Sequence, residues 1–177
     1  MRKLSVVLLI LFPILFLYGC YESEVPLSET PSLIVDSKLI RNWINIPKNK
    51  NEKDLTLLLR KFNEEEYLVA WKRGEDDETV IARGFNSKIN NTNIINLQGI
   101  DTLEKKDRTF VFFKYDFNEK GNLVINMLSN DYANLKGKKF KSSKEFADFV
   151  QKNISQKGLF DDSIEFKPTK EISFEIN

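Results

Sequence analysis

The chain has 177 residues, with 27 Lys and Arg against 26 Asp and Glu, one cysteine and no histidine. The missing histidine excludes Ser-His-Asp and Cys-His catalysis, His-built zinc sites and the usual pH switch. One cysteine excludes an internal disulfide, and the near-neutral charge balance argues against generic nucleic-acid binding.

The first nineteen residues differ in chemistry from the rest. Arg2 and Lys3 precede an almost unbroken run of Leu, Val, Ile and Phe from Leu4 to Phe16, the charged and apolar regions of an export signal. The run is shorter than the roughly 20 residues a spanning helix needs and is interrupted by Pro13, so a cleaved signal over 1–19 is expected instead of a permanent span. It ends in Leu17-Tyr18-Gly19-Cys20, which resembles the lipobox of bacterial lipoproteins: a branched apolar residue, a variable one, a small one, then cysteine.

That resemblance implies cleavage before Cys20 and a diacylglycerol on its thiol, with palmitate-like chains holding the protein at the membrane. Each buried methylene contributes about 0.8 kcal/mol to such an anchor. The implied location is the cell envelope. Tyr21 follows the cysteine where an Asp would signal retention, so the resemblance points to the outer membrane in a diderm source and otherwise to the outer face of the cell membrane. Cleavage removes Arg2 and Lys3 and no acid, leaving 25 basic against 26 acidic residues.

Residues 20–31 contain Pro26, Pro31 and three Glu without an evident apolar period, which predicts a flexible tether. Residues 32–177 suit one β-rich domain. Within it Leu55, Leu57 and Leu59 alternate, as do Tyr67, Val69 and Trp71; Glu75-Asp76-Asp77 makes a turn; strands follow over 79–85 and 93–97. A hairpin joins 109–117 to 123–128 through Asn118–Gly121, with Val111, Phe113, Tyr115 and Phe117 on one face and Leu123, Ile125 and Met127 opposing them. Residues 129–135 suggest a short helix ended by Gly137. Ser142 and Glu145 form a capping-box pattern, and Phe146, Phe149, Val150 and Ile154 follow at helical spacing. Two last strands are expected over 163–166 and 172–176.

The predicted fold is α+β: a mostly antiparallel β meander, either a small open barrel or a strongly bent sheet, with one helix of the C-terminal half packed on it. The stretch from Val35 to Asn153, with Trp43, Tyr67 and the 110–128 hairpin, resembles a loose group of uncharacterised β-rich bacterial lipoproteins, a likeness that implies no activity. Trp43 on the first strand also invites a lipocalin comparison, although lipocalins place Gly where Arg41 stands. Plain core packing is the stronger expectation for Trp43.

No Ser-x-x-Lys, Gly-x-Ser-x-Gly or glycine-rich phosphate loop occurs. The acidic clusters Glu64–Glu66, Asp76-Asp77 and Asp161-Asp162 could serve a hydrolase only if two acids converged across a cleft; solvated turns are the simpler reading. The Asp116–Met127 stretch opens like an EF-hand loop but has Lys120 and Met127 where oxygen ligands belong. No catalytic residue, metal or cofactor is therefore expected. Lys136, Lys138, Lys139 and Lys141, with Lys144, form the one charge cluster that points to a partner: an anionic surface, whether lipid, polymer or an acidic envelope protein. The expected role is a membrane-anchored, non-enzymatic binding or interaction domain, with a lipocalin-like carrier of a small apolar ligand as the alternative and a carboxylate hydrolase behind both.

Overall fold

The computed structural model describes residues 20–74, 77–100 and 108–170. The expected signal segment 1–19, Glu75 and Asp76, and the expected strand over 172–176 lie outside the described residues. The strands are β1 (Asn42–Asn45), β2 (Leu55–Lys61), β3 (Glu66–Arg73), β4 (Val80–Ile89), β5 (Thr92–Gly99), β6 (Phe110–Phe117), β7 (Leu123–Met127) and β8 (Ile164–Thr169), with helix α1 (Ser143–Asn153) between β7 and β8. Every strand pairs antiparallel with the next, and β8 returns to pair with β1, setting Asn42 opposite Thr169 and Asn45 opposite Phe166. The antiparallel α+β expectation holds, and the sheet goes further than an open barrel or bent sheet: it closes, which removes both free edges.

The turns sort onto two ends. Tight connections at 62–65, 90–91 and 118–122 occupy what we term the turn end, and the longer connections, which follow β1, β3, β5 and β7, leave from the opposite, loop end. At the turn end Asn90 and Gly121 take positive φ of 53° and 76°, the left-handed conformation that tight hairpins need. Asn118 Oδ1 accepts from the backbone N–H of both Lys120 and Asn122. The oxygens of the EF-hand-like stretch are thus spent on turning the chain.

The alternation read in the sequence becomes an inside and an outside. Leu59 faces Val69, Val69 faces Ala82, Phe113 faces Met127, Tyr115 faces Ile125 and Phe117 faces Leu123, so one parity of residues on these strands, mostly apolar, points to the barrel axis. Arg60, Arg83, Asp116 and Lys167, on the opposite parity, are exposed.

A second core lies outside the barrel, on the wall made by β4, β5 and β6. Outward-facing Ile94 and Phe112 are buried there beneath Phe146 and Val150 of α1 and beneath Tyr21 and Leu27. The Ser142 side chain accepts from Glu145 N at 3.2 Å, and Glu145 reaches back to Lys141 N at 3.0 Å, close to the expected capping box. Phe146 stacks on Phe140 and meets Phe112 edge-on at a centroid distance of 4.8 Å. The expected short helix at 129–135 is instead a series of turns, with Lys136 N bonding Tyr132 O and Gly137 at φ 70°. The turn goes no further because Gly137 takes the left-handed conformation that ends a helix.

The stretch expected to be a flexible tether is laid along this wall. Cys20 pairs with Ser129 and Ser23 with Phe110, Leu27 N donates to Asn96 Oδ1 at 2.8 Å, and the Ser28 and Ser87 hydroxyls meet at 2.7 Å. Tyr21, Ser23 and Leu27 are buried while Glu22 and Glu24 point to solvent. The segment is held because its odd-numbered positions bury apolar surface and its backbone donors find partners.

Candidate functional site

The inward-facing residues divide the barrel interior into two halves. Toward the turn end Trp43, Tyr67, Leu123 and Phe166 have exposures of 1% or less. Residues 35–40 close that end from below. Val35 N donates to Glu64 O, a turn ties Leu39 N to Asp36 O, and Leu39 itself is 1% exposed. Trp43 Nε1 donates to Leu39 O at 3.1 Å, and the Arg41 guanidinium lies 5.4 Å from the Trp43 ring centroid. Trp43 is thus core, as expected, and also holds the plug.

A small polar cluster sits within this closed half. The Tyr67 hydroxyl accepts from Asp36 N at 2.5 Å and from Asn86 Nδ2 at 2.7 Å. Burial pushes the Tyr67 and Tyr115 phenols well above their ordinary range, so both stay neutral and available as hydrogen-bonding groups. Asn86 Oδ1 is buried and has no hydrogen-bond partner among the described residues.

Toward the loop end the inward-facing residues of β4 and β5, Ala82, Ile95 and Leu97, stay buried, while those of the other strands are only half-buried. Leu55 and Leu57 of β2, Trp71 of β3, Val111 and Phe113 of β6, Ile125 of β7 and Ile164 of β8 all pack on the interior cluster while keeping exposed surface. Leu57, Phe113 and Ile125 are not terminal residues of their strands. Ile46 and Ile100, just beyond β1 and β5, are 37% and 41% exposed at the rim. The interior is therefore a packed, plugged floor at the turn end and is less completely buried along β2, β3, β6, β7 and β8 toward the loop end. Barrels of this strand number either fill with side chains or hold one small ligand.

The acidic clusters are not brought together. Glu64 and Glu66 lie at the turn end, Asp77 and Asp161 at the loop end. Glu64 pairs with Lys61, and Asp77 with Lys53 at 3.2 Å. Glu66 is buried, with Arg83 Nε on one oxygen and Nη2 on the other, both at 2.6 Å, and Asn63 Nδ2 at 2.5 Å. Such a forked pair commits both carboxylate oxygens to structure. Glu165 accepts from Asn118 and Asn122, both at 2.7 Å, and these bonds hold its carboxyl below the usual range. Glu165 thereby clamps the β6–β7 turn to β8. Among the described residues no three Cys, Asp or Glu side chains form a group able to hold a metal.

All the candidate lysines are exposed. Leu135 and Phe140 pin the loop that carries Lys136, Lys138, Lys139 and Lys141, and the Tyr21 hydroxyl donates to Lys138 O at 2.6 Å. The Lys138 ammonium sits 4.7 Å from the Phe149 ring centroid, and Lys139 approaches Glu24 at 3.9 Å. Lys144 pairs with Asp148 one helical turn on, at 2.6 Å. A shallow depression at the turn end, lined by Lys38, Arg41, Phe117 and Glu119, brings together no convergent set of groups.

Sequence reading found the inward-facing residues but missed the docking of 20–28. The signal was present in Tyr21-Glu22-Ser23-Glu24-Val25, a period-two alternation overshadowed by its acids and prolines. Comparison with protein-family models, curated proteins and solved structures finds no match.

Proposed function

We propose that the chain is a lipid-anchored protein of the bacterial cell envelope whose barrel binds one small apolar ligand, such as a fatty acyl chain, in its loop-end half and carries out no reaction on it. The observation that carries the binding role is the graded interior: fully buried aromatic residues below, half-exposed Leu57, Trp71, Phe113 and Ile125 above. Leaving that much inward-facing apolar surface in contact with water costs free energy that a ligand of matching chemistry recovers. The up-and-down connectivity, each strand bonded to its sequence neighbours, is compatible with a lipocalin-like fold. The anchor is supported by Leu17-Tyr18-Gly19-Cys20 and the basic-then-apolar run before it.

Micromolar affinity corresponds to about −8 kcal/mol. About ten buried methylenes supply that much before association costs are subtracted, a demand that one acyl chain meets. The test is mass spectrometry, under non-denaturing conditions, of protein purified from its native membrane. One non-covalent apolar molecule per chain is expected, and a chain that is always bare would end the proposal. A second reading, docking of an envelope protein, is favoured by Ile34 and Phe62, which are 75% and 58% exposed at the turn end. Crosslinking from Phe62→Cys would capture that partner.

A further inference from the structure

Three features meet at the loop end. Cys20 pairs with Ser129, beyond the last residue of β7, and Ser23 pairs with Phe110, the first residue of β6. The chain then runs along the wall to Ser28 beside Ser87. An undocked stretch over 21–31 would let the domain float about 36 Å from its anchor. Docked, it holds the loop end against whatever surface the Cys20 lipid enters.

The lysine loop lies beside that point. Tyr21, the neighbour of Cys20, bonds the backbone of Lys138 and packs on Phe140, so Lys136, Lys138, Lys139 and Lys141 are displayed next to the anchor residue. Ile46 and Ile100 expose apolar side chains at the same end. Acidic residues of this end include Asp77 and Glu78 in the β3–β4 connection, where Lys53 pairs with Asp77, and Asp131, Asp161 and Asp162 in the β7–β8 connection. Outside α1, Lys136, Lys138, Lys139 and Lys141 outnumber the acids of their own connection.

We infer that the barrel stands on the bilayer by its loop end, with the lysine loop on anionic phospholipid headgroups, and that its ligand is an acyl chain of a phospholipid drawn from that bilayer. The inference rests on the apolar-ligand reading above. Cationic side chains near an anionic membrane surface each add to attachment within a Debye length. Here they also set orientation, because the lipid and the lysines fix two neighbouring points of one rim. An acyl chain entering from the bilayer would exchange one hydrocarbon environment for another, so its headgroup can stay at the surface among the lysines.

Trp71 toward the loop end and Trp43 in the floor are the only tryptophans, which makes the test direct. The full-length lipidated chain and its Trp71→Phe variant are reconstituted into vesicles of phosphatidylglycerol or phosphatidylcholine carrying brominated acyl chains, and the difference between the two chains isolates Trp71. At least about two-fold quenching of Trp71 is expected in phosphatidylglycerol, with Trp43 unaffected. It should fall to the phosphatidylcholine level in 0.5 M salt, or when Lys136, Lys138, Lys139 and Lys141 are all changed to Glu. Equal quenching in both lipids would overturn the headgroup contact, and quenching of Trp43 instead would overturn the orientation. An unquenched Trp71 in protein that still purifies with a non-covalent apolar molecule would overturn this inference alone. An unquenched Trp71 in protein that purifies bare would remove the ligand reading with it. Were the chain's own Cys20 acyl group to fill the barrel, Trp71 would stay unquenched whatever the bilayer composition, which also overturns the proposal.

Discussion

The Tyr67 hydroxyl joins the plug of the barrel to its wall, since it accepts from both Asp36 N and Asn86 Nδ2. Tyr67→Phe leaves both donors without that partner, the Asn86 amide buried and the Asp36 N–H half-buried. An orphaned buried donor costs about 1–3 kcal/mol, so the midpoint of urea unfolding should fall accordingly. Trp43 emission should shift to the red as Leu39 loosens above it. Unchanged stability would mean that water or another group already serves those donors. Tyr21 makes a separate prediction at alkaline pH. Burial first, and the Glu145 charge second, push its phenol up to about 12 from an ordinary 10. Because the folded state holds the proton more tightly, this contribution is complete below pH 10 and is lost as pH rises from 10 toward 12. Tyr115 and Tyr67 shift in the same direction, so thermal unfolding should fall steeply across that window in the wild type. Tyr21→Phe should fall less.

At the scale of elements, α1 and the segment 20–28 share one core, and Phe146 is its hub, touching Tyr21, Phe140 and Phe112. Phe146→Ala should cost about 3–5 kcal/mol and free the N-terminal segment. Limited proteolysis between Glu22 and Leu27 would then be rapid in the variant and slow in the wild type; equal rates would show that the segment is held without the helix. The strands themselves were legible, because a period of two survives in Leu55-Leu57-Leu59, Tyr67-Val69-Trp71 and Val111-Phe113-Tyr115-Phe117. The helix was legible from Ser142 and Glu145 with its apolar stripe. Closure of the barrel was not, since β1 and β8 are paired across nearly the whole domain and no local pattern reports a partner so distant in sequence. The docked segment was hidden for a different reason: Glu22, Glu24, Pro26 and Pro31 give it the composition of a solvated linker, while its burial depends on Ser129, Phe110 and Asn96 far along the chain.

For the molecule as a whole, the inward-facing set could be read in the sequence, but the line between a fully buried half and a less completely buried one could not. That line depends on the plug at 35–40, whose position follows from tertiary bonds to Glu64 and Tyr67. It can be tested with charge. Phe166 is 1% exposed in the floor, whereas Ile125, inward-facing on β7, is half-buried toward the loop end. A carboxylate forced into the floor has neither water nor a partner, so Phe166→Asp should destabilise by more than about 4 kcal/mol and leave little folded protein. At Ile125→Asp the carboxylate can turn toward the solvent that already reaches this half-buried position, and the loss should be about 1–2 kcal/mol. The folded Ile125→Asp barrel should nonetheless lose its apolar ligand, because the charge would have to be desolvated by any acyl chain that entered. Ligand present at a hundred times its dissociation constant stabilises a native state by about 2.7 kcal/mol, so the wild type should melt several degrees higher with added lipid and Ile125→Asp should not. If both substitutions unfolded the chain alike, the interior would be packed from end to end and no space would exist for a ligand to fill.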